Sequence, residues 1–169
     1  MKLLLLLLLI ISTFIKAEID YVTLDNWNIR STSEYDLFVS KNGEKNQSSI
    51  LAWQLEMPYC VCNNPVITLL SNKTLERGDT IKGTIAVDLK KPKDVIFRVL
   101  SYLESGFVFL APMGFPPFSN SKVVKVNSEI GKETFLTYGI SKAMNQSREI
   151  CQSKYLFENK EPKPDEIDV

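Results

Sequence analysis

The sequence predicts an all-β fold, an antiparallel β-sandwich from which a secretion signal has been removed. Three observations lead there: apolar and polar residues alternate in several short runs, turn residues cluster between those runs, and no long stretch repeats with a helical period.

The N-terminus comes first. Lys2 precedes an unbroken apolar run over residues 3–11, and the segment closes on Ile15 and the small Ala17, the layout of a signal peptide over residues 1–17. A bilayer-spanning helix needs ~20 apolar residues, and neither this run nor a later one qualifies. The product is expected to be secreted and extracellular, with no membrane span. Cleavage would leave one sandwich domain over residues 18–157, a size that buries ~70 % of the unfolded surface. Residues 158–169 are charged and proline-rich, and are expected to form a disordered tail.

Within the domain, Leu51, Trp53, Leu55 and Met57 alternate with Ala52, Gln54 and Glu56, the period of a half-buried strand. Ile81, Gly83, Ile85, Val87 and Leu89 alternate with Lys82, Thr84, Ala86 and Asp88 in the same way. Residues 95–103 place Ile96, Phe97, Val99 and Leu100 in one run, which predicts a central strand covered on both faces. Shorter strands are expected over 35–39, 66–70, 107–110, 123–126 and 134–138. The turns between them are Lys41-Asn42-Gly43, Glu76-Arg77-Gly78-Asp79, Lys90-Lys91-Pro92-Lys93 and Gly114-Phe115-Pro116-Pro117. Residues 141–151 have a poor apolar period and read either as a helical turn or two or as a loop, so no long amphipathic helix is expected. Trp53 belongs to the core by its place in an alternating strand, whereas Trp27, between Asn26 and Asn28, is expected to be partly exposed.

Three cysteines, Cys60, Cys62 and Cys151, allow one disulfide in an oxidising compartment: Cys62 with Cys151, or Cys60 with Cys151. Pairing Cys60 with Cys62 would distort an extended chain. The remaining thiol is either buried or joins two chains into a disulfide-linked dimer. Sequons at Asn46, Asn72 and Asn145 fit export and would mark exposed loops if glycosylated.

Without Lys2 and Lys16 the chain has 18 basic and 20 acidic residues, so its net charge offers no footprint for nucleic acid or an anionic membrane, and polyanion binding is not expected. The absence of histidine removes Ser-His-Asp triads, Cys-His pairs and imidazole zinc sites. Scattered glycines give no phosphate loop, and no cofactor or metal is expected. Carboxylate pairs such as Glu129 with Glu133, or Glu76 with Asp79, read as solvated loop residues rather than as a glycosidic acid and base.

One region carries a family resemblance. Asn64-Pro65 opens a strand, Leu75, Gly78, Ile81 and Gly83 follow, then Phe97-Arg98-Val99-Leu100, then residues 107–115, then Val123-Val124-Lys125-Val126-Asn127-Ser128 and Gly131-Lys132-Glu133. Over about residues 64–138 this order resembles the galectin carbohydrate-recognition domain, and the resemblance implies a jelly-roll sandwich and a sugar site. Leu110, Pro112 and Gly114 stand where that family has His-x-Asn-x-Arg, and Ile130 replaces its stacking tryptophan. Asn127 and Glu133 match functional positions, so the resemblance implies a degenerate sugar site in which galactoside binding is weak or absent.

Phe107, Phe109, Phe115 and Phe118 flank Met113, Pro116 and Pro117. Phe107 and Phe109 read as core residues of a strand, while Phe115 and Phe118 are candidate ligand contacts on a rigid loop. The expectation is a secreted glycoprotein that binds an extracellular glycan or protein surface without catalysis, using Asn127, Glu133, Phe115 and Phe118. Its rivals are a secreted hydrolase, a hydrolase inhibitor presenting residues 114–118, and a structural or adhesive component linked through the odd cysteine.

Overall fold

The computed structural model describes residues 21–33, 36–56, 59–62, 64–114 and 120–158. The signal segment, the Phe115 and Phe118 loop and residues 159–169 lie outside them.

Among the described residues eleven antiparallel strands form an all-β, sandwich-like fold: β1 (Tyr21–Leu24), β2 (Trp27–Ser33), β3 (Asp36–Asn42), β4 (Ile50–Glu56), β5 (Val61–Cys62), β6 (Val66–Leu70), β7 (Thr80–Val87), β8 (Lys93–Tyr102), β9 (Phe107–Met113), β10 (Val123–Ser128) and β11 (Gly131–Leu136). The helix α1 (Ile140–Glu158) follows them. The strand order is β1-β2-β3-β4-β6-β9-β8-β7-β10-β11, with β5 paired to β4. The ribbon folds over so that β11 comes across β3 and β6, where the Glu44 N–H donates to the Thr134 carbonyl at 2.8 Å.

Alternation selects the core. Leu51, Trp53 and Leu55 of β4 point inward, as do Ile81 and Ile85 of β7 and Val108 and Leu110 of β9. Each such side chain contributes ~1.5–3 kcal/mol by leaving water. Residues 95–103 depart from the expected double burial: Val95, Phe97 and Val99 are inside, but Ile96 and Leu100 stand 49 % and 38 % exposed on the other face. An apolar outer face and a buried one look alike in a sequence run.

Trp27 is fully buried, correcting the expected partial exposure. It packs against Trp53 with ring centroids 5.8 Å apart, and its indole N–H donates to the Tyr138 carbonyl at 2.7 Å, so its polar edge is satisfied inside. The β1–β2 hairpin that delivers it turns on Asp25 and Asn26, both at positive φ, as a two-residue hairpin loop of the primed type requires.

The helix is longer than the sequence period implied. Its buried stripe is Ile140, Ala143, Ser147 and Cys151, spaced three or four apart, but only Ile140 among these is large. Ser147 satisfies its hydroxyl by donating to the Ala143 carbonyl at 2.6 Å. The packing of this stripe beside β2, β3 and β4 stabilises the helix, with Cys151 bonded to Cys60. Cys60 sits in a left-handed turn at φ +51, its N–H donating to the Glu56 carbonyl, and its Cα lies 5.9 Å from that of Cys151. The Cys62–Cys151 alternative is thereby replaced: Cys62 is held in β5 opposite Leu55 and keeps its thiol. Burial pushes the Cys62 thiol pKa up, against the opposing pull of the Arg148 guanidinium. Among the described residues no helix is long and apolar enough to cross a membrane.

Candidate functional site

An open groove of about 680 Å³ lies between the β7–β8 turn, the start of β10 and the junction of β11 with α1. Asp88, Leu89, Lys90, Lys122, Val123, Lys125 and Tyr138 line it. Each wall is fixed by main-chain bonding. After β7 the chain turns at Asp88, φ +55, whose carboxylate accepts the N–H groups of Lys122 at 2.7 Å and Val123 at 3.0 Å. The Asp88 N–H in turn donates to the Val123 carbonyl at 2.8 Å, clamping the hairpin to β10. The opposite wall is held by the Thr137 N–H donating to the Lys122 carbonyl at 2.8 Å, and by a buried hydrogen bond of 2.9 Å between the Ser121 and Thr137 hydroxyls.

Tyr138 stands at the rim. Its carbonyl is anchored by the buried Trp27 indole, and Gly139 follows at φ +78 to start the helix, yet Tyr138 itself is 57 % exposed. Leu89, at the hairpin tip, is completely exposed. An aromatic on a fixed backbone and an apolar tip thus face the same opening.

The electrostatics are one-sided. Lys90, Lys122 and Lys125 bring ammonium groups, and the groove's carboxylate, Asp88, directs an oxygen to two main-chain N–H groups. Those two hydrogen bonds, with help from the Lys90 and Lys122 cations, hold the Asp88 carboxyl below the usual carboxylate range, so it is ionised at neutral pH. Among the described residues the ion pair formed at contact distance is Lys142 with Asp25 at 3.3 Å, so the three groove lysines, which outnumber the single Asp88 carboxylate beside them, leave the opening net positive.

Of the expected site residues, the two that are described, Asn127 and Glu133, face opposite sides of the sheet. Asn127 is exposed on β10, between Thr84 of β7 and Lys132 of β11. It lies on the same strand face as Lys125, about 7 Å further along. Glu133 is 2 % exposed, and its carboxylate accepts the N–H groups of Lys45 at 2.9 Å, Asn46 at 2.9 Å and its neighbour Thr134 at 2.7 Å. It braces the β3–β4 loop from within. Gly43 makes room for it, since a Cβ there would come within 2.4 Å of the Glu133 Cδ. Phe115 and Phe118 fall outside the described residues.

Of the positions laid against the galectin sugar strand, Leu110 and Pro112 point into the core and Gly114 is exposed at φ +67. Glu76 and Asp79 share a turn in which the Asp79 carboxylate accepts the Glu76 N–H at 2.9 Å. Among the described residues no group of three or more histidine, cysteine or carboxylate side chains is arranged to hold a metal. Of the sequons, Asn72 is exposed in a loop and Asn145 is exposed on α1, while Asn46 is half-buried in the loop that Glu133 braces.

The groove residues escaped the sequence reading because Lys90 and Lys122 are far apart in the chain and a summed charge near zero conceals them. The Lys90-Lys91-Pro92-Lys93 turn was the available signal. Comparison of the chain with family models, curated proteins and solved structures gave no match.

Proposed function

We propose that the chain is an exported, disulfide-supported binding module that grips an extracellular glycan in the lysine and tyrosine groove and performs no turnover. The observation that carries this reading is Tyr138, more than half exposed at the rim of an open groove whose walls are set before a ligand arrives. Sugars are recognised by hydrogen bonds converging on their hydroxyls and by an aromatic ring against the apolar face of the pyranose. Tyr138 offers the ring, the lysines offer donors, and Asn127 extends the polar strip along β10. Export is supported by the N-terminal apolar segment together with the intramolecular disulfide.

The galectin-like sugar site has no part in this proposal, because Leu110 and Pro112 are internal and Glu133 is bonded to main chain. N-glycosylation is proposed at Asn72, which is exposed in a loop. The test is a glycan array probed with the secreted chain and with Tyr138→Ala. Binding by the parent chain that weakens at least about fivefold in the variant supports the reading, given that an aromatic contact contributes ~0.5–1.5 kcal/mol beyond its burial. Silence from the parent chain across the array contradicts it.

A protein surface is the second reading. It rests on Ile96 and Met113, directly paired across β8 and β9 and 49 % and 53 % exposed, which give the outer sheet an apolar patch.

A further inference from the structure

We infer that the groove takes a negatively charged glycan, one bearing sulfate or carboxylate groups, rather than a neutral one; this rests on the glycan-binding reading above. The chemistry of the lining carries the inference. A neutral sugar presents hydroxyls that both donate and accept, so its sites mix ammonium or amide donors with carboxylate or amide acceptors. In this groove the charged side chains are donors by three to one: Lys90, Lys122 and Lys125 each carry N–H groups and no acceptor, against the single carboxylate of Asp88. The one carboxylate, Asp88, turns Oδ1 to the N–H groups of Lys122 and Val123 and shares the field of Lys90 and Lys122, so it offsets one of three cations and leaves the lining net positive. Three cations against one carboxylate leave an excess of positive charge around one opening, and an incoming anion relieves it while gaining charge-assisted hydrogen bonds.

Apolar parts complete the match. Leu89 and Tyr138 face the same space and suit the ring carbons of a pyranose, which a small inorganic anion lacks. Lys91 and Lys93 continue the hairpin beside Lys90, both exposed, and extend the positive rim beyond the groove. The opposing charges on that hairpin are Asp88, in the groove itself, and Asp94, exposed on β8 opposite Thr84. A near-neutral chain therefore carries a local cationic site, which departs from the expectation drawn from net charge.

The experiment is calorimetric titration of the secreted chain with a heparin-derived hexasaccharide, a neutral glucan hexasaccharide and phosphatidylserine vesicles, repeated with Lys122→Gln/Lys125→Gln. Both substitutions fall on exposed residues, and unchanged thermal unfolding verifies that the variant folds. Binding to the sulfated oligosaccharide, with none to the neutral one, is expected. Each lysine removed should weaken it about two- to fivefold, so the double variant loses roughly tenfold. A tenfold rise in salt should cost at least about tenfold more. Equal binding of the neutral hexasaccharide, or an unaltered affinity in the double variant, would overturn the anionic assignment and leave glycan binding standing. Binding to vesicles but to neither oligosaccharide would overturn both, as would no binding to any probe.

Discussion

Replacing Glu133 by glutamine separates a bracing carboxylate from a ligand contact. In the native chain one oxygen accepts two main-chain N–H groups, from Lys45 and Thr134, and the other accepts that of Asn46. A glutamine can keep the first oxygen in place, but its amide nitrogen then meets the Asn46 N–H, donor against donor. Two hydrogen bonds fall from charge-assisted to neutral strength, a loss of about 1 kcal/mol each, and the third is lost outright. Removing a buried charge returns part of this, and Lys45 is exposed enough for water to compensate. The net expectation is ~3 kcal/mol of destabilisation, about 6–12 °C in Tm for a domain of this size. Urea unfolding monitored by tryptophan fluorescence gives the value, since Trp27 and Trp53 lie in the same core. Gly43→Ala should act in the same direction, because the new methyl collides with the Glu133 side chain. A glutamine variant within ~0.5 kcal/mol of the parent, the range of ordinary surface substitutions, would refute the bracing role.

Other outcomes follow from the same packing and hydrogen bonding. Replacing Cys60 and Cys151 together by alanine opens a loop spanning a separation of 91 residues, and chain-entropy arithmetic gives ~4–5 kcal/mol of lost stability; thermal unfolding that moves by less than about 3 °C would contradict it. Trp27→Phe leaves the Tyr138 carbonyl without its donor and a void beside Trp53, for an expected loss of ~2–4 kcal/mol in the same assay. Asp88 has a folded-state pKa below its ordinary value, so its contribution to stability is present above the unfolded pKa and disappears as pH falls through the folded one. Carboxyl titration by NMR should therefore find Asp88 titrating below exposed aspartates, and a midpoint at or above theirs would be the contrary result. Cys62, half-buried with a raised pKa, should be alkylated slowly at neutral pH in the folded chain and rapidly after unfolding; equal rates would show the thiol to be open.

Much of the fold was legible because burial imposes a period of two. β4 and β7 fall within a residue or two of their alternating runs, and Leu51, Trp53, Leu55, Ile81 and Ile85 are inward as the pattern named. Leu89, in phase with them, lies past the end of β7 and is fully exposed; β6 keeps the expected bounds with Ile67, Thr68 and Leu69 buried in succession. The β1–β2 hairpin was harder to read because its turn is Asp25-Asn26 rather than a glycine pair, although side chains of this type tolerate positive φ. The helix hid behind small and polar core positions: Ala143 and Ser147 are buried through packing, and neither advertises it. Disulfide pairing was undecidable from spacing because Cys60 and Cys62 close loops of nearly equal length to Cys151. The backbone turn at Cys60 decides it.

The candidate site was less legible for a different reason. Its charge comes from Lys90 on one hairpin and Lys122 and Lys125 on a later strand, and only the pairing of β7 with β10 brings them together. Glu133 illustrates the converse, a residue whose type fits a ligand contact and whose position makes it part of the frame.

The proposal that this chain works by gripping a glycan in the groove is tested most directly by an amide-resolved NMR titration of the chain with a sulfated oligosaccharide. Saturating shifts should appear at Leu89, Lys90, Lys122, Lys125 and Tyr138 and fade toward Asn127, with Ile96 and Met113 unmoved. Shifts confined to the Ile96 and Met113 face, or none anywhere at millimolar ligand, would contradict it.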